Sequence, residues 1–151
     1  MPDTTASTDS LKLVDFLCFA VYATNHAFGR VYKPLLDRLG LTYPQYLVMV
    51  ALWEQDDQTV GGIGDRLFLE SSTLTPLIKR LEAMGHVQRS RDPRDERQVR
   101  VRLTDQGRAL RQQAAEVPAC ILEATGLTPE ALGRLQVDIV RLRDHLMQAK
   151  S

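Results

Sequence analysis

Apolar residues recur at helical spacing through the N-terminal part of the chain. Residues 1–9 are small and polar, and from Leu11 onward apolar positions follow at intervals of three and four, which predicts a helix with one buried face. Ser10 is placed to act as the N-cap of this helix. Pro34 is expected to end or kink it, and Gly40 to close a short helix that follows.

The middle of the chain predicts three more helices. The segment "LTYPQYLVMVALWEQ" opens with Thr42 or Tyr43 as a cap and has Pro44 at the first helical position, where its missing N–H costs least. An acidic turn and a short strand-like "TV" come next. The segment "GGIGDRLFLESSTLTPLIKRLEAMGHV" then predicts two helices joined by a tight turn, the second over about residues 71–85.

The pattern changes to strict alternation after this helix pair. On both sides of a Pro/Asp/Arg turn, "HVQRSRDPRDERQVRVRLT" alternates polar and apolar residues, which predicts a β-hairpin over residues 86–103. Thr104 is expected to cap a helix that runs to about Gly126, and Thr128 to cap the last one. The last helix carries a heptad seam that suits either a partner helix or packing within the chain: Leu132, Leu135, Ile139, Leu142 and Leu146.

This element order predicts a mainly α-helical protein with a small β-hairpin wing, a winged helix–turn–helix. A recognition helix fits the major groove of DNA, and an arginine at a hairpin tip can enter the minor groove. The helix over 71–85 would offer short hydroxyls for base edges and phosphates and two cations for phosphates. The candidate DNA-binding residues are Ser71, Ser72, Thr73, Thr75, Pro76, Lys79 and Arg80 on this helix, with Arg94, Asp95 and Arg97 on the wing.

Charge supports this prediction only when it is examined locally. The formal net charge is +0, so the whole chain has no general attraction to nucleic acid. Residues 86–111, however, hold eight arginines against four acids, whereas residues 43–70 hold five acids against one arginine. An arginine-rich hairpin alone is commonly a solvated surface. Beside the predicted helix pair it indicates the non-specific attraction that DNA binding needs.

Other classes of protein are less well supported. No signal peptide or membrane span is visible, so the chain is expected in the cytoplasm, where two cysteines do not by default form a structural disulfide. Three histidines are scattered, and neither cysteine has metal-ligand spacing, so no metal site is expected. The glycines of "GGIG" lack the strand–helix setting of a phosphate site. No cofactor is therefore predicted.

The wing sequence resembles a known family. In "DERQVRVRLTDQG", Asp95 and Arg97 stand at the Asp-x-Arg positions of the wing motif of MarR-family transcriptional regulators, and Leu103 and Thr104 close that motif. The resemblance extends over almost the whole chain. It implies a homodimer on a palindromic DNA operator, joined through residues 1–40 and 104–151, with residues 43–103 as the DNA-binding lobe.

Cys18 by itself is typical of a buried, unreactive residue. If the helix starts near Ser10, Cys18 lies about two turns inside it, beyond the reach of the helix dipole. No Lys, Arg or His lies within one turn, and Asp15 would oppose a thiolate. Tyr22, at i+4, shares the face of Cys18. Tyr43 precedes a proline at a helix start, a poor place for a residue that only fills space.

A second resemblance changes this interpretation. "LCFAVY", "LTYPQYLVMVALWE" and "LFLESSTLTPLIKRLE" closely resemble the organic-hydroperoxide-sensing branch of the MarR family, the OhrR type. The resemblance implies that Cys18 is the peroxide-reactive residue, that Tyr32 and Tyr43 of the partner subunit hydrogen-bond it, and that Tyr22 lies beside it. Cys120 is then the candidate resolving cysteine, although it lies a few residues before the family's position; the alternative is that Cys120 is a small buried apolar residue.

The expected function is therefore a DNA-binding repressor that releases its operator when an organic hydroperoxide oxidises Cys18. The sulfenic acid formed would be captured by a low-molecular-weight thiol or by a second cysteine. The alternative is a MarR-type regulator controlled by a small phenolic or aromatic ligand. An enzyme, a thiol peroxidase, is not expected, because no Arg or His near Cys18 could activate a peroxide.

Overall fold

The fold is mainly helical with a small antiparallel sheet, as predicted. The computed structural model describes residues 11–149. In that part of the chain a short 3-10 helix precedes seven α-helices and three strands. The elements are the 3-10 helix Leu13–Asp15, α1 Leu17–Asp37, α2 Tyr43–Glu54, β1 Gln58–Thr59, α3 Val60–Leu67, α4 Ser71–Ala83, β2 Val87–Asp92, β3 Asp95–Leu103, α5 Asp105–Gln113, α6 Val117–Thr125 and α7 Pro129–Gln148.

The first helix begins later than the sequence predicted. α1 starts at Leu17, because the extended backbone of Phe16 (φ −92°, ψ 110°) separates it from the 3-10 helix. The predicted N-cap, Ser10, lies outside the described residues. Pro34 does not end the helix, which continues to Asp37. Pro34 removes the backbone hydrogen bond to the Arg30 carbonyl, and the helix continues for only three residues beyond it.

Gly40 ends α1 itself, and the short helix expected before it is not formed. Its left-handed backbone (φ +69°) suits a glycine. The Gly40 N–H donates to the Asp37 carbonyl and the Leu41 N–H to the Leu36 carbonyl, each at 3.1 Å. These two bonds form a Schellman motif. The apolar residues on either side of the turn, Leu36, Leu39 and Leu41, enter the core.

The helix–turn–helix and the hairpin form as predicted. Thr42 caps α2, since its Oγ1 accepts the Gln45 N–H at 3.3 Å and the Gln45 side chain accepts the Thr42 N–H at 2.9 Å. This is a capping box. In the sheet the strand order is β1-β3-β2, so the short first strand lies against the free edge of the wing. That strand is Gln58–Thr59 rather than "TV", because Val60 already belongs to α3.

The helix predicted over residues 104–126 is in fact two helices. α5 and α6 are separated by a turn at residues 114–116. Pro118 explains the break, since a proline cannot donate to the carbonyl four residues earlier and its ring would clash with that carbonyl. The last helix starts as predicted: the Thr128 side chain accepts the Ala131 N–H at 3.1 Å.

The hydrophobic core lies in the winged helix–turn–helix part of the chain. Its fully buried members come from α2, α3, α4 and the sheet, with contributions from the end of α1 and from α5 and α6. The first half of α1 and all of α7 contribute no buried residue. None of the helices between residues 11 and 149 is long and apolar enough to span a membrane.

Candidate DNA interface and cysteine site

α4 has one buried face and one polar exposed face. Leu74, Ile78 and Leu81 are 0% exposed and anchor the helix in the core. The opposite face carries the predicted DNA-binding residues. Ser71, Ser72, Thr73, Pro76, Lys79 and Arg80 are exposed, and Thr75 is half-buried.

The wing presents arginine at its tip. The Arg97 side chain is 93% exposed. Its backbone N–H and its Nε both donate to Asp95 Oδ1, at 3.1 and 3.4 Å. The aspartate thus binds one edge of the guanidinium, and the rest of the guanidinium faces solvent. Arg94 lies in the tip turn. Its N–H donates to Asp92 Oδ1 at 2.9 Å, a local bond that closes the turn.

A groove of about 310 Å³ separates the recognition helix from the wing. Ser71 and Thr75 of α4 line one wall, and Arg97 and Gln98 of β3 line the other. The structure thus brings together two predicted elements that lie more than twenty residues apart in the chain. The groove is concave, and on the wing side its lining includes Arg89 and Arg97, which suit a phosphate backbone.

The eight arginines of residues 86–111 do not all serve this surface. Arg89 donates to Glu82 at 3.2 Å, and Arg108 pairs with Asp105 at 2.9 Å and with Asp56 at 3.5 Å. These contacts are structural. In the described part of the chain the guanidinium groups of Arg91 and Arg94 take part in no hydrogen bond or ion pair.

The acidic turn after α2 binds the wing. Leu103 N–H donates to Asp56 Oδ1 at 2.8 Å. Arg100 and Arg102 both donate to Asp57 Oδ1, at 2.7 and 3.1 Å. The hydrogen bonds from these two arginines hold the pKa of Asp57 below its usual value. The role of Asp56 and Asp57 in holding the wing was not predicted. Two arginines at alternate positions of one strand and an acidic turn of opposite charge could have indicated it.

Cys18 lies at the start of α1, not two turns inside it. It is the second residue of the helix and is exposed. The first N–H groups of a helix have no intrahelical acceptor, and this end of the helix favours negative charge. Tyr22 lies one turn further along, 61% exposed, with its ring edge-on to His26 at 4.6 Å between centroids. The predicted position of Cys18, about two turns inside the helix, is therefore wrong.

Tyr32 and Tyr43 form a pair between α1 and α2. Their ring centroids are 4.8 Å apart, and Tyr46 lies 5.9 Å from Tyr32. Burial, with the two neighbouring phenols, raises the pKa of Tyr32 to about 12; burial also raises the pKa of Tyr43. Both hydroxyls therefore stay protonated at neutral pH and can donate a hydrogen bond. None of the hydrogen bonds among residues 11–149 involves either hydroxyl.

Within one chain the tyrosine pair lies far from the cysteine. Cys18 and Tyr32 are both in α1, and at 1.5 Å per residue their separation along the helix axis is about 21 Å. The pair lines a cleft of about 400 Å³ with His26, Arg30 and other polar residues of α1. The structure therefore brings Tyr32 and Tyr43 together but does not bring them to the Cys18 of the same chain.

Cys120 lies in α6, half-buried, and both cysteines are free thiols. Because the turn at residues 114–116 starts a new helix, Cys120 lies near the beginning of α6 rather than deep within a long helix. This position leaves both of its expected roles open, as a small apolar residue and as a resolving cysteine.

A large apolar surface remains uncovered at the two ends of the chain. On α7, Leu135, Ile139 and Leu146 of the heptad seam are 50%, 42% and 65% exposed. Near the start of the described residues Leu13, Val14 and Leu17 are exposed as well. Leu132 and Leu142, the other two seam residues, are half-buried, so packing within the chain covers the seam only in part and leaves three of its five residues for a partner helix.

Contacts at the start of α5 join this helix to α2 and to the turn between α4 and β2. Trp53 Nε1 donates to the Gly107 carbonyl at 2.9 Å. The Thr104 hydroxyl accepts the Gly107 N–H at 3.0 Å and donates to the Gly85 carbonyl. The α carbon of Gly107 lies so near His86 that a Cβ there would be 2.0 Å from the His86 carbonyl oxygen. We call Trp53, Gly85, His86, Thr104 and Gly107 the α5 junction. It was not predicted from the sequence.

Comparisons with known proteins agree with this architecture. A family model described as "Transcriptional regulator SarA/Rot" matches residues 30–113. The HTH-type transcriptional regulator TtmR of Methylorubrum extorquens is 51% identical over 142 residues, 94% of this chain and 73% of that protein. The chain belongs to the MarR/SarA family of transcriptional regulators. The regulator's relatives are not enzymes, in agreement with the sequence prediction.

Two further comparisons concern the cysteine. The organic hydroperoxide resistance transcriptional regulator of Bacillus subtilis is 41% identical to the regulator over 140 residues, 93% of this chain and 95% of that protein. The solved structure of reduced AbfR bound to DNA, a protein of Staphylococcus epidermidis, matches with a TM-score of 0.75 at 36% identity. That match covers 91% of this chain and 96% of the other.

Proposed function

We propose that the regulator is a DNA-binding repressor that senses organic hydroperoxides through Cys18 and then releases its operator. One observation carries the proposal. Cys18 is exposed at the N-terminal end of α1, while two protonated phenols suited to hydrogen-bond it, Tyr32 and Tyr43, lie about 21 Å away in the same chain. A second copy of the chain is needed to complete such a site.

The homodimer follows from the uncovered apolar surface. In this proposal α1 and α7 of two subunits pack together, so that Leu135, Ile139 and Leu146 leave water. The two α4 helices then face one palindromic operator, with their centres about 34 Å apart, one turn of DNA. The relative AbfR, solved bound to DNA at 36% identity, supports this mode of binding.

On DNA, α4 enters the major groove and the wing lies along the minor groove. The exposed hydroxyls of Ser71, Ser72 and Thr73 are placed for base edges and phosphates, and Lys79 and Arg80 for phosphates. Arg94 and Arg97 extend from the wing tip, with Asp95 orienting Arg97. The 310 Å³ groove between the two elements would receive one phosphate backbone.

Sensing begins with a nucleophilic step at Cys18. The thiolate attacks the terminal oxygen of the hydroperoxide and the O–O bond breaks, so that sulfur is oxidised to sulfenic acid while the alkoxide leaves and takes a proton from water to become the alcohol. Cys18 lies in the first turn of α1, where the helix N–H groups have no intrahelical acceptor. The sulfenic acid then condenses with a thiol, losing water. Oxidation converts the Cys18 thiolate, the proposed acceptor of the hydrogen bonds from the tyrosines of the second subunit, into a sulfenic acid or a disulfide. Those hydrogen bonds therefore change, and the DNA-binding lobes move.

The test is operator binding by fluorescence anisotropy, with a duplex taken from upstream of the regulator's own gene. Reduced protein should bind, cumene hydroperoxide should weaken binding, and dithiothreitol should restore it. The matched variant Cys18→Ser should bind in both conditions, and Cys120→Ser serves as the other cysteine control. Unchanged binding by wild type whose Cys18 is shown to be oxidised by mass spectrometry would refute the proposal.

The same samples address the fate of the sulfenic acid. A Cys18–Cys120 linked dimer on a non-reducing gel supports a two-cysteine scheme. A mixed disulfide with an added small thiol, without the linked dimer, supports a one-cysteine scheme. The phenolic-ligand alternative predicts that Cys18→Ser behaves as wild type does; the 41% identical hydroperoxide regulator supports the redox scheme instead.

A further inference from the structure

Arg100 connects three parts of the winged lobe. Its Nε donates to Asp57 Oδ1 and its Nη2 to the Asp57 carbonyl, both at 2.7 Å, while its Nη1 donates to Asp92 Oδ2 at 3.1 Å. Asp57 lies in the turn after α2, and Asp92 is the last residue of β2, next to the wing tip. One guanidinium thus joins the middle of β3 to both the body of the lobe and the tip turn.

The two carboxylates are themselves fixed. Asp92 is buried, and its other oxygen accepts the Arg94 N–H that closes the tip turn. Asp57 has a left-handed backbone (φ +59°), unusual for a residue other than glycine, although aspartate and asparagine tolerate it. Hydrogen bonding, first to the Arg94 N–H and then to Arg100, lowers the pKa of Asp92. The carboxylates therefore remain charged at neutral pH.

Nearer the lobe the wing is also fixed by contacts of Arg89 with Glu82, of Arg102 with Asp57 and of the Leu103 N–H with Asp56, but the contacts of Arg100 lie further towards the tip. Beyond β2–β3 pairing, the sheet holds it only through β1, two residues that pair with Arg100 and Val101 of β3. A two-stranded hairpin is marginally stable alone. The half of the wing beyond Arg100, which carries Arg94 and Arg97, therefore depends on the Arg100 contacts for its angle to the lobe.

We propose that Arg100, held by Asp57 and Asp92, is a positioning residue for operator binding, which sets the angle of the wing and does not itself contact DNA. Three of its donors already have acceptors on the protein, whereas the Arg94 guanidinium has none in the described residues. This inference rests on the proposed DNA binding, and it divides the wing arginines into those that reach DNA and one that aims them.

The experiment compares the salt dependence of operator affinity for Arg94→Gln and Arg100→Gln. A residue that neutralises one phosphate lowers the slope of log K against log salt by about 1 when it is removed. We expect that reduction for Arg94→Gln. For Arg100→Gln we expect a loss of affinity of about tenfold at every salt concentration with the wild-type slope. A slope reduced by about 1 in Arg100→Gln would overturn the inference.

Asp57→Gly is the decisive variant, because glycine also tolerates the left-handed backbone and offers no side-chain oxygen to the Arg100 Nε. It removes a negative charge, so charge alone predicts tighter DNA binding. Loss of the Arg100 contact predicts weaker binding, with the wild-type slope. Affinity equal to or above that of wild type would refute the positioning role, provided that circular dichroism shows all variants folded.

Hydrogen exchange gives a readout that needs no DNA. Amides of residues 92–99 should exchange faster in Arg100→Gln than in wild type, while the amides of α4 stay unchanged. Unchanged exchange at the wing contradicts the inference even if the variant binds DNA poorly. A wild type that binds no operator duplex contradicts the proposed function instead, and hydrogen exchange then decides the role of Arg100 by itself.

Discussion

Gly107→Ala tests whether the α5 junction is as tightly packed as its geometry indicates. A Cβ at this position would lie 2.0 Å from the His86 carbonyl oxygen and 3.0 Å from its carbon. Because this contact is with backbone rather than with a flexible side chain, α5 or the start of β2 must move by about 1 Å. Such a shift also disturbs the hydrogen bond from Trp53 Nε1 to the Gly107 carbonyl.

The expected cost is large compared with ordinary surface substitutions. Overpacking of a close contact costs about 1–3 kcal/mol, and loss of one hydrogen bond adds about 1 kcal/mol. Gly107→Ala should therefore lower the free energy of unfolding by about 2–4 kcal/mol. A domain has roughly 5–15 kcal/mol in all, so this loss is a substantial fraction.

The assay is urea unfolding followed by far-ultraviolet circular dichroism at one fixed protein concentration, since a dimer's stability depends on concentration. With a urea slope of about 2 kcal/mol per molar, the midpoint should fall by about 1–2 M. Gly61→Ala is the matched control, because a Cβ there meets nothing within 4 Å. Equal midpoints for the two variants would refute the claim that the junction cannot accommodate a methyl group.

Three other predictions concern stability. Thr104→Ala removes the acceptor of the Gly107 N–H and the donor to the Gly85 carbonyl, and should cost about 1–2 kcal/mol in urea unfolding; no loss would contradict its role as a cap. Leu52→Ala, at a fully buried position, should cost about 2–5 kcal/mol by the same measurement. The pKa of Tyr32, raised to about 12 by burial, predicts a stability contribution that is complete below pH 10 and lost as pH rises towards 12, because the unfolded chain releases this proton first. In thermal unfolding, Tyr32→Phe should show a shallower decline over that range, and an identical decline would rule this out.

Most secondary structure was predictable, because local physics decides it. Hydrophobic period, a capping threonine and a following proline identify α2 and α7 without knowledge of any neighbour, and alternation identifies the wing. The wrong predictions concern positions where the local sequence is compatible with more than one backbone conformation. An extended Phe16 moved the start of α1, and Pro118 divided a long helix into two.

The sequence by itself determined the list of chemical groups and the family. It contained two cysteines, four tyrosines and an arginine-rich hairpin in an order that resembles hydroperoxide-sensing regulators. It could not determine which arginines face DNA, because ion pairing depends on residues distant in the chain: Arg100 and Asp57 are 43 positions apart.

Only the tertiary structure decided the setting of Cys18, since the reach of a helix dipole depends on where the helix begins. The folded chain also paired Tyr32 with Tyr43, which raised their pKa values by burial, and left the seam of α7 exposed to water. Burial and long-range charge pairing are properties of the packed chain, and for that reason no local pattern could specify them.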